Sequence, residues 1–282
     1  MTLLVCGILA GVVYAFVIHR ATAPLFSRSL FTRTNYRGAE LPTAVGLVIP
    51  ATVVGVLALY QLLDTLRWSV DSAALRSLTL TTTAAFGFSL LGLMDDVSVD
   101  EGTSGYLGHI RAMLRGDLSA GALKLVVLPT VAIVVVYPRS GDSAVRLLLD
   151  GALVALAANL ANLFDRAPGR VIKVTLLGSV AVFVGSAAAA GTFGLAVICG
   201  AALVLLVPDL RERMMLGDTG ANPLGASVGL AAVLVFQPVT RNWVLGGLLL
   251  MNLASEFVSF SAVIDRVAPL RGLDRLGRRH RG

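Results

Sequence analysis

Nine apolar runs divide the chain, at about 2–18, 42–63, 77–94, 121–137, 144–163, 171–189, 191–207, 221–237 and 242–263. A hydrocarbon core of ~30 Å takes ~20 helical residues, with ~17 as the lower limit. Every run meets that limit, and each must be helical, because unpaired backbone groups in lipid cost several kcal/mol apiece. Composition agrees: 56% of the 282 residues are hydrophobic and only 14% are charged. A soluble domain carries roughly 25% charged residues, so an ordinary cytosolic enzyme is excluded, and disorder with it. The expected fold is an all-α polytopic membrane protein of about nine transmembrane helices. Residues 1–263 read as the transmembrane domain and 264–282 as an Arg-rich tail. Leu270, Leu273 and Leu276 lie three apart among the arginines of that tail. This spacing predicts a short amphipathic helix that lies on the membrane surface or closes over a site there.

The loops set an orientation. One alternating set of loops, including Lys124 at the edge of the fourth run, holds 18 Lys and Arg; the other set holds Arg67, Arg76, Arg139, Arg146 and Arg241. The positive-inside rule puts the first set in the cytoplasm. The N-terminus is then outside and the C-terminus inside. The net charge of +6 is accounted for by cytoplasmic arginine and calls for no nucleic acid partner. Cys6 and Cys199 fall inside runs and read as apolar packing residues, not a disulfide or metal site. No basic region precedes the first run. That run is expected to be a transmembrane helix and not a cleaved signal.

Twelve carboxylates fall on the cytoplasmic side and four outside, so chemistry is expected at the cytoplasmic membrane face. Three acidic motifs stand there at run ends. The first is Gly92-Leu93-Met94-Asp95-Asp96. Paired carboxylates at a helix C-terminus oppose the helix dipole and repel each other, a cost that a divalent cation or a cationic partner relieves. The second runs from Asn159 through Asn162 to Asp165, one helix face at i, i+3 spacing. Asparagine in a membrane usually faces protein or a polar cavity. A single one reads as a helix–helix hydrogen bond, and the stripe of three reads as a polar ligand site. Pro168-Gly169 then breaks the helix, and the basic Arg166, Arg170 and Lys173 suit a phosphate. The third is Met215-Leu216-Gly217-Asp218-Thr219-Gly220. Its glycines allow backbone N–H groups to approach phosphate at a helix N-terminus, and Asp218 supplies a hard oxygen for magnesium. The alternative is a tight turn entering a helix, capped by Thr219 or Asn222. Two lesser features are Asn35-Tyr36-Arg37-Gly38 leading to Pro42-Thr43 and Gly46, and a loop that holds His109 and Arg111 before Lys124.

Together these motifs resemble the polyprenyl-phosphate N-acetylhexosamine-1-phosphate transferase superfamily, which includes the phospho-N-acetylmuramoyl-pentapeptide transferases. The resemblance rests on Pro42-Thr43…Gly46, Asp95-Asp96, Asn159…Asn162…Asp165 and Gly217-Asp218-Thr219-Gly220, in that order over most of the chain. It implies that a UDP-linked amino sugar gives its sugar-1-phosphate to polyprenyl phosphate and releases UMP, with Mg2+ as cofactor. It also implies cell-wall (peptidoglycan-type) glycan synthesis, the bacterial plasma (inner) membrane and a homodimer. Asp218 matches the metal position, Asp95 and Asp96 the catalytic pair, and Asp165 the catalytic end of the Asn159–Asn162 stripe. Asn159, Asn162, Thr43, Lys124, Arg166, Arg170, Lys173, Gly217 and Gly220 fall in substrate-binding segments. The chain departs from the family pattern in four places. After the paired Asp, where a Lys or another acid is usual, Val97-Ser98-Val99-Asp100 offers only Asp100. Asp165-Arg166-Ala167-Pro168-Gly169-Arg170 stands where a second acid is usual. Pro208-Asp209-Leu210-Arg211-Glu212-Arg213 replaces an Asn and Pro-Ala-Lys stretch. An Arg-rich tail with His280 stands where a His-rich loop is usual. These departures point to a divergent branch lacking that loop. The alternative expectation is a non-catalytic relative that binds polyprenyl phosphate or an envelope-assembly partner.

Overall fold

The structure is a computed structural model that describes residues 1–35, 37–97 and 120–278, with only the backbone of 120–125. Lys124's side chain, Tyr36, Asp100, His109, Arg111 and His280 lie outside the described residues. The elements are α1 (Thr2–Phe26), β1 (Thr32–Thr34), β2 (Glu40–Pro42), α2 (Val48–Thr65), α3 (Ser72–Val97), α4 (Ala120–Ser140), α5 (Ala144–Phe164), α6 (Arg170–Gly185), α7 (Phe193–Leu210), α8 (Asp218–Val235), α9 (Pro238–Ser255), α10 (Phe260–Arg266) and α11 (Ala268–Arg275). The nine apolar runs lie on α1 to α9, the last of them running on through the break into α10.

Among the described residues, five segments are long and apolar enough to cross a membrane: Thr2–Phe26, Val45–Thr65, Ser72–Val97, Ala144–Phe164 and Ala190–Leu210. The ninth run does not form one straight helix. It breaks after Ser255, and α10 leaves at 92° to α9; counted as one bent span, the pair brings the number to six. The break has a local cause, since the Ser259 hydroxyl accepts from the Ala262 amide and starts a new helix. Helix α6 has 16 residues, short of a full span.

Apolar side chains on the outside and small ones inside are the mark of helices packed in lipid, where close backbone approach replaces hydrophobic drive. Helix α1 shows both faces. Val5, Leu9, Val13, Phe16 and Val17 are exposed, while Gly7, Gly11 and Ala15 are buried. Gly7 and Gly11 form a Gly-x-x-x-Gly stripe against Ala196 and Gly200 of α7. A Cβ on Gly11 would lie 2.2 Å from the Val197 carbonyl oxygen, and one on Gly200 2.2 Å from that of Ile8. The same device joins α8 to α5, where a Cβ on Gly225 would lie 2.2 Å from the Ala157 oxygen and Gly229 sits over Ala157 and Val154.

Helix α8 is the centre of the bundle. Nearly every residue from Thr219 to Val233 is buried, and α8 packs against α3 on one side and α5 on the other. Its N-terminus therefore comes to the end of the bundle where α3 and α5 finish. Strands β1 and β2 form a small antiparallel hairpin, with Thr32 opposite Pro42 and Thr34 opposite Glu40. The hairpin delivers the chain through Thr43 and Ala44 to a 3-10 turn at Val45–Leu47, beside the same point.

Candidate functional site

The Gly217-Asp218-Thr219 turn is held from three directions. From the hairpin side, the Met215 amide donates to the Pro42 carbonyl at 2.7 Å, and the Gly46 amide to the Leu216 carbonyl at 3.1 Å. Gly46 and Gly220 touch backbone to backbone, and a Cβ on Gly46 would lie 2.3 Å from the Gly220 Cα. Thr43 is buried in this contact, and Ala44 beside it takes a left-handed φ of 57°. A non-glycine residue in that region is a strained position.

From the α3 side, Asp96 supplies the N-cap that α8 lacks from its own flanking residues. Its Oδ1 accepts from the Asp218 amide at 3.0 Å. Its Oδ2 accepts from the Thr219 amide at 3.0 Å and from the Thr219 hydroxyl at 2.5 Å. A carboxylate there also meets the positive end of the helix dipole. The ordinary cap position is Gly217, at φ 72°, where a Cβ would lie 2.3 Å from the Asp96 carboxylate. One turn earlier on α3, Gly92 lets the backbone of Asp218 and Thr219 lie against it. Ser89 completes the grip by donating to the Thr219 carbonyl at 2.8 Å. That oxygen would normally accept from residue 223, which is Pro223 and has no N–H.

From the α5 side, the Asn162 amide donates to Asp218 Oδ2 at 3.1 Å. Asp165 follows at the end of α5, with Arg166 exposed next to it. Burial pushes the Asp165 carboxyl well above the ordinary aspartate value, and the charges of Asp209, Asp218 and Asp96 push the same way; Arg166 opposes them. Four carboxylates thus share one electrostatic neighbourhood. Asp95 is exposed beside it on the last turn of α3.

The four sequence motifs therefore meet at one place, but the structure redistributes their tasks. The Asp218 and Thr219 N–H groups, expected to face a phosphate, are taken by Asp96. Gly217 and Gly220 serve close packing instead. Asn159 takes the helix–helix role: its amide donates to the Asn252 oxygen on α9 at 2.7 Å, and Asn252 donates in turn to the carbonyls of Leu156 and Leu248.

Arg170 and Lys173, expected to meet phosphate, hold the C-terminal segment. Arg170 is buried and pairs with both oxygens of Asp274, at 2.8 and 3.1 Å, and with the Ser261 hydroxyl at 2.7 Å. Lys173 donates to the carbonyls of Leu273, Asp274 and Leu276, which caps the C-terminus of α11. Arg278 adds bonds to Asp274 and to the Pro168 carbonyl. Burial pushes the Asp274 carboxyl up, but its bonds and charge contacts with Arg170, with Arg278 and Lys173 nearby, outweigh that and hold it below the ordinary aspartate value. The three leucines of the tail stay exposed, as an amphipathic surface helix requires.

Asp209 is a site residue that sequence reasoning missed. Its Oδ2 accepts from the Gly169 amide at 2.8 Å and fixes the turn that follows Asp165. Gly169 is at φ 70°, and a Cβ there would lie 2.4 Å from Leu210. Two signals were available, an acid at the end of an apolar run and the Pro208 before it. Ser89 and Asn252 had no comparable signal.

No family model matches the chain. Among curated proteins it is similar to a phospho-N-acetylmuramoyl-pentapeptide-transferase of Desulfatibacillum aliphaticivorans, 25% identical over 266 residues, taking in 81% of this chain and 68% of the relative. That similarity supports kinship at the level of the polyprenyl-phosphate hexosamine-1-phosphate transferases.

Proposed function

We propose that this multi-pass membrane protein transfers a sugar-1-phosphate from a UDP-linked amino sugar to polyprenyl phosphate, releasing UMP, at the cytoplasmic face of a bacterial inner membrane. The product would serve cell-envelope glycan synthesis. The observation that carries the reading is the meeting of all four motifs at the Gly217–Thr219 turn, where Asp96, Gly46 and Asn162 each touch it. The sequence similarity supports the same reading. The loop charges favour an external N-terminus, with the site on the cytoplasmic side.

Phosphoryl transfer between two anions is mostly positioning and charge neutralisation. The donor set suits magnesium in a particular way. Among the described residues no three His, Cys, Asp or Glu side chains converge on a cage. Magnesium characteristically takes only one or two carboxylates and completes its shell with water and substrate phosphates. Asp218 and Asp165 are such a pair, in a neighbourhood whose negative charge raises Asp165. They would hold the ion, which would neutralise charge on the transferring phosphoryl group. Asn162 orients Asp218, and Asp96 fixes the backbone that carries it. Asp95, exposed on the last turn of α3, would take a proton from the lipid phosphate or attack directly. Arg166 and Lys124 are the basic residues left for substrate phosphates once Arg170 and Lys173 are committed to the tail.

UMP release by purified protein, given UDP-HexNAc substrates and polyprenyl phosphate, tests the proposal. Asp218→Asn is expected to lower turnover at least 100-fold with the fold intact. A non-catalytic relative is the second reading, favoured by the structural employment of Asp96, Arg170 and Lys173. It expects Asp218→Asn and Asp95→Asn to keep full cellular function.

A further inference from the structure

The loops on the side remote from Asp218 carry only five basic residues, yet four of them gather in one corner of the bundle. Arg146 and Arg241 both pair with the buried Asp150, which also accepts from the Ser140 hydroxyl. Two guanidinium groups share one carboxylate, so the cluster keeps one net positive charge. The Nε atoms of both arginines are buried without a hydrogen-bond partner among the described residues. Arg139 lies within electrostatic reach of Arg241. Arg139 and Arg76 together line a cavity of about 220 Å³ between the start of α3, the end of α4 and the turn at Gly191. Its other walls include Leu80, Pro138 and Leu234, and Ser72 contributes a hydroxyl. Neither Arg76 nor Arg139 is in an ion pair among the described residues.

Arginine on an external loop runs against the positive-inside bias, so four in one corner need a counter-charge. Asp150 supplies one and is fully used. Two exposed guanidinium groups flanking a cavity with apolar walls match a tetrahedral, multiply charged oxyanion, which arginine binds through paired N–H groups. Twenty positions along α3 separate Arg76 from Asp96, roughly 30 Å at 1.5 Å per residue. That is about the thickness of a hydrocarbon core, which sets the cavity at the headgroup level of the leaflet opposite the acidic site.

We propose that Arg76 and Arg139 form a binding site for a phosphate group at the membrane face opposite Asp218. The site is independent of the transfer reaction. A phospholipid headgroup and free phosphate share this chemistry, and the test separates them. Full-length protein in detergent is titrated with phosphatidylglycerol, with a phosphate-free glucosyl diacylglycerol, and with phosphatidylglycerol in excess inorganic phosphate, and bound lipid is counted by native mass spectrometry. Arg76→Gln/Arg139→Gln is expected to weaken phosphatidylglycerol binding at least 5-fold, while Arg67→Gln, which does not line the cavity, leaves it unchanged. Displacement by inorganic phosphate would assign the site to the free ion; retention would assign it to the lipid. Equal binding of the glucosyl lipid would overturn the proposal. So would undiminished binding by the double variant, or an equal loss in Arg67→Gln. Both arginines are exposed, and a thermal midpoint within 2 °C of the parent protein's, the criterion for using the variant, is expected.

Discussion

Asp96 accepts three hydrogen bonds with two oxygens, whereas its neighbour Asp95 is exposed. An amide at position 96 would turn an N–H toward a donor. Asp96→Asn should therefore cost about 1–3 kcal/mol, while Asp95→Asn stays within about 0.5 kcal/mol, as surface changes do. Thermal midpoints of the two variants in detergent check this. Asp165 answers in the opposite sense. Its burial among Asp209, Asp218 and Asp96 makes its charge a cost to the fold. Asp165→Asn should raise the midpoint by roughly 2–4 °C, the shift that about 1 kcal/mol gives in a large domain, while it abolishes transfer. Adjacent letters gave no way to separate Asp95 from Asp96. The difference comes from Gly217, which has no side chain to cap the first amides of α8, so that α3 supplies the cap through Asp96.

At the scale of elements, two kinds of contact hold the bundle. The first is glycine packing. Gly200→Ala would push a methyl group against the Ile8 carbonyl, whereas a Cβ on Gly246 meets nothing within 4 Å. Gly200→Ala is expected to cost about 1–3 kcal/mol, and Gly246→Ala, at an open helical position, to be neutral or stabilising by up to about 1 kcal/mol. Denaturation of both variants separates the two cases. The second contact is the Arg170–Asp274 clamp. The Asp274 carboxyl is held below the ordinary aspartate value, so its contribution is complete above that value and is lost only as pH falls through the lowered one. A spin label at Gly272→Cys, in a Cys6→Ser background, should stay immobile from pH 7 to pH 5. With Asp274→Asn added it should become mobile at pH 7. The helical runs were readable because apolar length is set by the bilayer. The clamp was not, because positive charge in a cytoplasmic loop looks the same whether it faces phosphate, lipid or a carboxylate 104 residues away.

The molecule as a whole is polarised along α3 and α8. One end gathers Asp96, Asp165, Asp209 and Asp218; the other gathers Arg146 and Arg241 around Asp150, with Arg139 and Arg76 on a cavity nearby. Charge is scarce in this chain, and the bundle concentrates it at its two ends. The acidic end was visible in the sequence, because three acidic motifs fell at run ends. The basic end was not, because its arginines are scattered from 76 to 241 and only helix packing collects them. The proposed reaction moves a phosphoryl group with the sugar and not a sugar alone. The direct measurement is identification of the products formed from UDP-HexNAc and polyprenyl phosphate by the intact protein. UMP is expected together with a lipid carrying two phosphates and one amino sugar, and neither product with Asp218→Asn. UDP as the leaving product, or no product from folded protein with any UDP-HexNAc, would contradict it.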